Sequence, residues 1–449
     1  MGSVPSSRAR TQPGAGSRRA AARAALLVLA AGLGVTAWAL WEHDAQSACA
    51  AHLAEARARL EADIVEAPTL DRLAASSALS HLERARERGD VGAEAALLEV
   101  RASVLVAIQR GDLPTAQRAL DDAVAASGWD TERRLLAAEI ARRGGELQRA
   151  EAHLQDALRR DPHHPRALVG AASLALEVGD AEAAERFARD LLGRVPDASR
   201  GHSLLGEALE ARRQFEGAEA AYREALRLNQ RDVLGHMDLG RILRVRGDLD
   251  GAEQAYAQAL VLAPREAAAY LGRGLVRMEQ GHGALALADL EHARSLAPRD
   301  ASIWVALGDL RRAAADLPAA VLAYERALEL SPATLLTEVR LGNTRVAQGD
   351  FEAALLIFDA VIARVPSSSE AHNGRGVALM YSERVEEAES AFERAAALAP
   401  ADPHPLLNLG ILGERTGRRE RAEQAFQAAL DRDPSSEDAL RRLLALRAG

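Results

Sequence analysis

Hydrophobic positions along this chain fall into two patterns: one unbroken run near the N-terminus, then a helical spacing that recurs to the end. Residues 1–23 come first, rich in Gly, Ser, Pro and Arg with no hydrophobic period, and they predict a disordered tail. Ala24 to Trp41 (AALLVLAAGLGVTAWALW) then runs 18 residues without a charge, a length that crosses a hydrocarbon core as a helix. Trp38 and Trp41 close that run and suit the membrane interface, and Glu42 and Asp44 follow at once. Five arginines precede the run and none follows closely, which orients a single transmembrane helix with its tail in the cytoplasm and the body across the membrane. A cleaved signal peptide is the rival reading, with small residues at Ala48-Cys49-Ala50, and lipidation of Cys49 is a third. All three export the body. Residues 46–62 (QSACAAHLAEARARLEA) continue as an amphipathic helix, a stalk within a segment, 42–96, that also holds an irregular helical stretch ending at Gly89-Asp90.

From Leu97 a 34-residue frame fits ten times without insertion to Ser436. Glycine holds position eight in seven units (Gly206, Gly240, Gly274, Gly308, Gly342, Gly376, Gly410), and alanine holds position twenty in all ten, from Ala116 to Ala422. A ring recurs at position twenty-four as Tyr222, Tyr256, Tyr324, Phe358, Phe392 and Phe426, and proline at position thirty-two in eight units. Glycine costs helix stability, so its recurrence inside a helix argues for close helix contact; the ring fills the space beside it. Gly-Asp pairs such as Gly179-Asp180, Gly247-Asp248 and Gly349-Asp350 predict a left-handed cap followed by an N-cap, and the proline stops the second helix of each unit.

These marks resemble the tetratricopeptide repeat family, a 34-residue helix–turn–helix with small residues at eight and twenty and proline at thirty-two. The resemblance covers residues 97–436. It implies an all-α right-handed superhelical solenoid, here joined to one N-terminal transmembrane helix. Departures are Val104 and Ala138 at position eight, Gly128 and Gln230 in place of proline, and Trp304 as the sole tryptophan at position four. Residues 437–449 (EDALRRLLALRAG) read as a helix capping the last hydrophobic face.

The same resemblance implies that the first helices line a concave groove, with ligand contacts at repeat positions two, five, nine and twelve. In the later repeats these positions give Leu271, Leu275 and Met278, then Val339 and Val346, Val377 and Met380, and Leu407 and Ile411, with Asn343, Asn373 and Asn408 in or beside them. One reading is a groove for an extended or helical apolar peptide; the other is packing between neighbouring helices. Earlier repeats present charge instead, from Glu132, Glu139 and Arg142 to Arg241 and Arg244, which reads as a solvated face.

Composition narrows the chemistry. Aromatics are only 3%, which suits thin helical layers packed through small side chains. The chain has no lysine, so phosphate-loop, Schiff-base and kinase-type lysine chemistry are excluded. Its one cysteine cannot build a thiolate metal site. Net charge is −9, and with five arginines and no acid in residues 1–23 the remainder carries −14, a poor match to nucleic acid. His163-His164 lie in a turn and two adjacent histidines make a poor metal site, while Glu386-Glu387 read as a solvated helix face. No catalytic motif stands out, no cofactor or metal is expected, and an enzyme is not. The expected function is a membrane-anchored scaffold that binds a protein or peptide partner from the periplasmic side of the inner membrane. Its layout is similar to anchored repeat proteins of pilus assembly, polysaccharide export and cytochrome maturation. The alternative is self-assembly of the chain into a coat or ring, as a homo-oligomer.

Overall fold

In the computed structural model, residues 50–56, 79–84 and 92–448 are described. They hold 23 helices and no strand. Helical stretches at 50–56 (α1) and 79–84 (α2) come first. Helix pairs follow: α3 (Gly92–Gln109) with α4 (Leu113–Ser127), α5 (Thr131–Arg143) with α6 (Leu147–Arg160), α7 (Pro165–Glu177) with α8 (Ala181–Arg194), and α9 (Ser199–Ala211) with α10 (Phe215–Leu228). A second series runs α11 (Val233–Val245) and α12 (Leu249–Leu262), α13 (Ala267–Glu279) and α14 (Gly283–Leu296), α15 (Ala301–Ala313) and α16 (Leu317–Leu330). It ends with α17 (Leu335–Gln348) and α18 (Phe351–Arg364), α19 (Ser369–Tyr381) and α20 (Val385–Leu398), α21 (His404–Arg415) and α22 (Arg419–Arg432), and finally α23 (Glu437–Ala448). The chain divides into two compact units, Met1–Asp232 and Val233–Gly449. The boundary falls between repeats four and five, in the turn where Gln230 replaces proline. Within each unit the structure is a stack of helical hairpins, the repeat solenoid fold.

Helix boundaries follow the frame. Each first helix from α5 to α19 starts at repeat position one, and each second helix from α4 to α22 at position seventeen. Position fifteen, in the turn between them, is left-handed in all ten repeats. Seven carry glycine there, with φ from +69° to +84°, and Arg213, Ala315 and Glu383 hold φ of 60–62° in the other three. An L-residue in that region is strained by about 1 kcal/mol, so the turn geometry persists where its preferred residue is missing. After it, Asp112, Asp180, Asp248, Asp316 and Asp350 each accept a hydrogen bond from a backbone N–H of the second helix's first turn, which satisfies a donor the helix cannot pair itself.

The core is laid down once per repeat. All ten position-twenty alanines are fully buried. A Cβ on Gly206, Gly308, Gly342, Gly376 or Gly410 would lie 2.3–2.6 Å from the ring of Tyr222, Tyr324, Phe358, Phe392 or Phe426 respectively, closer than carbon atoms pack. A second glycine, at position six of the following repeat, does the same from the other side: Gly272 at 2.3 Å from Tyr256 and Gly374 at 2.4 Å from Phe358. Those two rings are therefore held between two glycine backbones.

Polar contacts then tie each repeat to the next. At position four, Trp304 Nε1 donates to the carbonyl of Pro298 (3.0 Å) and Tyr270 Oη to that of Pro264 (3.4 Å), and the His202 and His372 rings meet Pro196 and Pro366 likewise. A ring with an N–H or O–H thus replaces the family's tryptophan. Arginines bridge repeats too: Arg345 to Glu325 (2.7 Å), Arg311 to Glu291 (3.2 Å) and Arg418 to Glu389 (2.9 Å). The most buried bridge centres on Asp289. Arg273 holds both its oxygens at 2.9 and 2.7 Å, and Arg277 spans from Asp289 (2.8 Å) to Glu253 (2.8 Å) of the preceding repeat.

No helix among the described residues is long and apolar enough to cross a membrane. The run 24–41, the basic tail before it and most of the stalk segment lie outside those residues. The helix α23 packs Leu443 and part-buried Leu446 against the core around Phe426, and its Ala439 is fully buried.

Candidate functional site

All twelve candidate groove residues lie on first helices of the second unit. They do not form one stripe. Leu271, Leu275 and Met278 are half-buried against a core that includes Leu307 and Leu310. In repeats eight to ten, Val339 and Met380 are core residues, and Val346, Val377 and Ile411 pack part-buried against the same cluster around Phe358 and Phe392. Leu407 joins Ile411 on the neighbouring core around Phe426. Asn343 is exposed; Asn373 and Asn408 are half-buried and paired, with Asn408 Nδ2 donating to Asn373 Oδ1 at 2.9 Å. Asn343 Oδ1 lies close to the backbone of Gly374, within 3.1 Å of where a Cβ would stand.

Repeat seven separates the two apolar groups. At its position nine stands Asp309, which pairs with Arg340 at 3.1 Å and accepts a 2.6 Å hydrogen bond from the Tyr324 hydroxyl. Burial, and then the Asp309 carboxylate, push that phenol's pKa up. Tyr222 likewise donates to Glu210 at 3.1 Å. In these two repeats the hydroxyl of the core ring meets an acid of the first helix. From repeat eight onward the ring is Phe358, Phe392 and Phe426, and position nine becomes Asn343, Val377 and Ile411. Position nine is thus uncharged over three consecutive repeats, while Glu370 at position two and Glu414 at position twelve, the latter paired with Arg442 at 2.7 Å, keep charge at the edges of this partly apolar first-helix face. Of these hydroxyl contacts, the one from Tyr324 reaches position nine, while Tyr222 reaches position twelve, so the link between ring and surface in repeat seven appears only in three dimensions.

The charged first-helix positions of the other repeats pair with one another. Glu132 meets Arg166, Arg142 meets Glu139 (2.9 Å) and Glu177 (3.1 Å), and Arg200 meets Glu207 (2.8 Å). Arg241 binds Asp238 (2.7 Å) and Arg244 binds Glu279. Adjacent to the Glu132 pair, His164 caps α7 through a 3.4 Å contact from the Ala167 N–H, and the His163 backbone N–H binds Asp161 at 3.1 Å. Among the described residues no group of three or more His, Cys, Asp and Glu could hold a metal ion.

A cavity of about 290 Å³ opens elsewhere, between α20, α21 and α22. Leu406, Leu409 and Leu412 line its floor, with Glu389, Glu393, Arg418 and Arg421 around it. Arg418 and Glu389 pair across it, so its charged groups satisfy one another.

Comparison with known proteins places this architecture. A search of curated proteins finds no match. Similar solved structures include a tetratricopeptide repeat protein from Parabacteroides merdae, 23% identical with TM-score 0.45 over 56% of this chain and 98% of that one. Cut9–Hcn1, an APC/C hetero-tetramer, is 16% identical with TM-score 0.48 over 87% and 72%. PilF from Pseudomonas aeruginosa is 19% identical with TM-score 0.41 over 46% and 93%. Profiles described as tetratricopeptide repeat match residues 101–165, 203–270, 237–288, 271–333, 339–403 and 378–437, and a second such profile matches 141–208. Those matches cover well over half of the 449 residues, and the chain belongs to the tetratricopeptide repeat family.

Proposed function

We propose that this chain is a membrane-anchored protein-binding scaffold whose first-helix face in repeats eight to ten receives an extended or helical apolar segment of a partner. The observation that carries the reading is the Asn373–Asn408 amide pair set among half-buried Val346, Val377 and Ile411. The pair leaves an Asn373 Nδ2 donor and an Asn408 Oδ1 acceptor, which match the acceptor and donor of a peptide unit. The surrounding aliphatic edges supply apolar contact, as in recognition of peptides by grooves. Elsewhere on the first helices charge is already paired within the chain, so a neutral segment gains most here.

A photo-crosslinking residue at Asn343, the exposed member of this face, is expected to yield a discrete protein adduct in native membranes. The same group at Leu356, 74% exposed on the second helix α18, serves as the control. Equal adducts from both positions, or none from Asn343, would remove the assignment.

The apolar run 24–41 and the arginines before it support an inner-membrane anchor with the repeats in the periplasm, in the assembly of a cell-envelope complex. A phosphatase fused to the C-terminus is expected to be active only on export. An inactive but full-length fusion would place the repeats in the cytoplasm.

A further inference from the structure

The helix α23 keeps the 34-residue frame, with Glu437 at position one, Leu440 at four and Leu444 at eight. Its inner side buries Ala439, and Leu443 with part-buried Leu446 packs on the core around Phe426. Leu440 and Leu444 face outward, 46% and 56% exposed, one helical turn apart. In repeats four to ten position eight is glycine, and a Cβ on Gly410 would lie only 2.3 Å from the Phe426 ring. Leu444 therefore excludes a second helix packed at that spacing. It suits a helix at the wider distance of about 8–10 Å at which aliphatic side chains interdigitate.

Charge selects the occupant. The first turn of α23 is acidic, Glu437 and Asp438, and its last turn carries Arg447. Asp438 is engaged by Arg441 (2.5 Å) and Arg442 (3.2 Å) of its own helix. Glu437 and Arg447 lie exposed on the same side as Leu440 and Leu444, and Arg447 reaches Gln427 at 3.4 Å. Two antiparallel copies of α23, related by a two-fold axis beside residue 442, set Leu440 of each against Leu444 of the other. The same axis sets Glu437 of each against Arg447 of the other, and the antiparallel arrangement opposes the two helix dipoles. One helix thus provides a self-complementary surface, as two-fold symmetry requires. We infer that α23 is a homodimerisation helix, joining two copies of this chain through Leu440 and Leu444 between paired Glu437–Arg447 ends.

The surface is one helix long, at the small end of specific interfaces, and the dimer is expected to dissociate in the micromolar range. Sedimentation of the full chain in a neutral detergent is expected to show its mass doubling across that range. Leu444→Glu is expected to weaken the dimer at least about tenfold, with an unchanged thermal melt by circular dichroism. Glu437→Arg alone and Arg447→Glu alone each set like charges at both ends and weaken it about tenfold; mixing the two variants pairs opposite charges again and restores a heterodimer. A monomer throughout, a dimer indifferent to Leu444→Glu, or a mixture no tighter than its components would each overturn the inference. Because α23 lies outside the Asn343 face, crosslinking there reports separately on partner binding.

Discussion

Phe358→Ala is expected to destabilise the second unit by about 3–5 kcal/mol, the range for deleting a buried aromatic ring, and to sit near the top of it. The ring is fully buried, and Gly342 and Gly374 face it from both sides, where added Cβ atoms would lie 2.6 and 2.4 Å away. Neither glycine has a side chain that can relax into the space, so the cavity stays open. In a stack where each repeat contacts chiefly its neighbours, the damage stays local. Hydrogen exchange should accelerate over 335–402 well before 233–300, as read by peptide mass spectrometry with increasing denaturant. A uniform rise across the unit would show that it unfolds as one cooperative block.

Asp289→Ala is expected to cost about 3 kcal/mol or more, because it strands two arginines that the carboxylate now holds. Asp289 is buried, and Arg273 and Arg277 are mostly covered. Replacing the whole group by Arg273→Met, Arg277→Met and Asp289→Leu should recover most of that loss, since apolar packing can replace a buried ion cluster. Denaturant midpoints of the two variants check this; a triple variant as weak as the single one would show that geometry rather than charge is at stake. Acid attacks the same bridge. The hydrogen bond from Arg277 holds the Glu253 carboxyl below its ordinary pKa. Its contribution is therefore complete above the ordinary glutamate pKa, about 4.3, and disappears as pH falls through the depressed value.

The repeat was legible in the sequence because its cause is local and periodic. Glycine in a left-handed turn, aspartate at an N-cap and alanine beneath a ring are each demanded by one place in the hairpin, so they recur every 34 residues. Contacts between repeats were not legible in the same way. Position four looked degenerate, yet Tyr270, His202 and His372 perform the bond that Trp304 makes; what recurs is a ring with a polar edge rather than a residue type. The second glycine beside each of Tyr256 and Phe358 belongs to the following repeat, and a frame read one unit at a time does not connect them. The candidate site was legible as positions but not as a surface. Side-chain depth divides it: Val339 and Met380 are core, Asn343 is open to solvent, and Asp309 interrupts the stripe through the Tyr324 hydroxyl and Arg340.

Trp304, bonded to Pro298 and overlain by the Arg294 guanidinium at 5.4 Å, has an optical consequence. Among the described residues it is the one tryptophan of the second unit, while Trp129, stacked on His153 at 5.4 Å, is the one of the first. Each unit therefore carries its own fluorophore. With Trp38 and Trp41 replaced by phenylalanine, the emission of two single-tryptophan chains would follow the unfolding of each unit in turn, without labels.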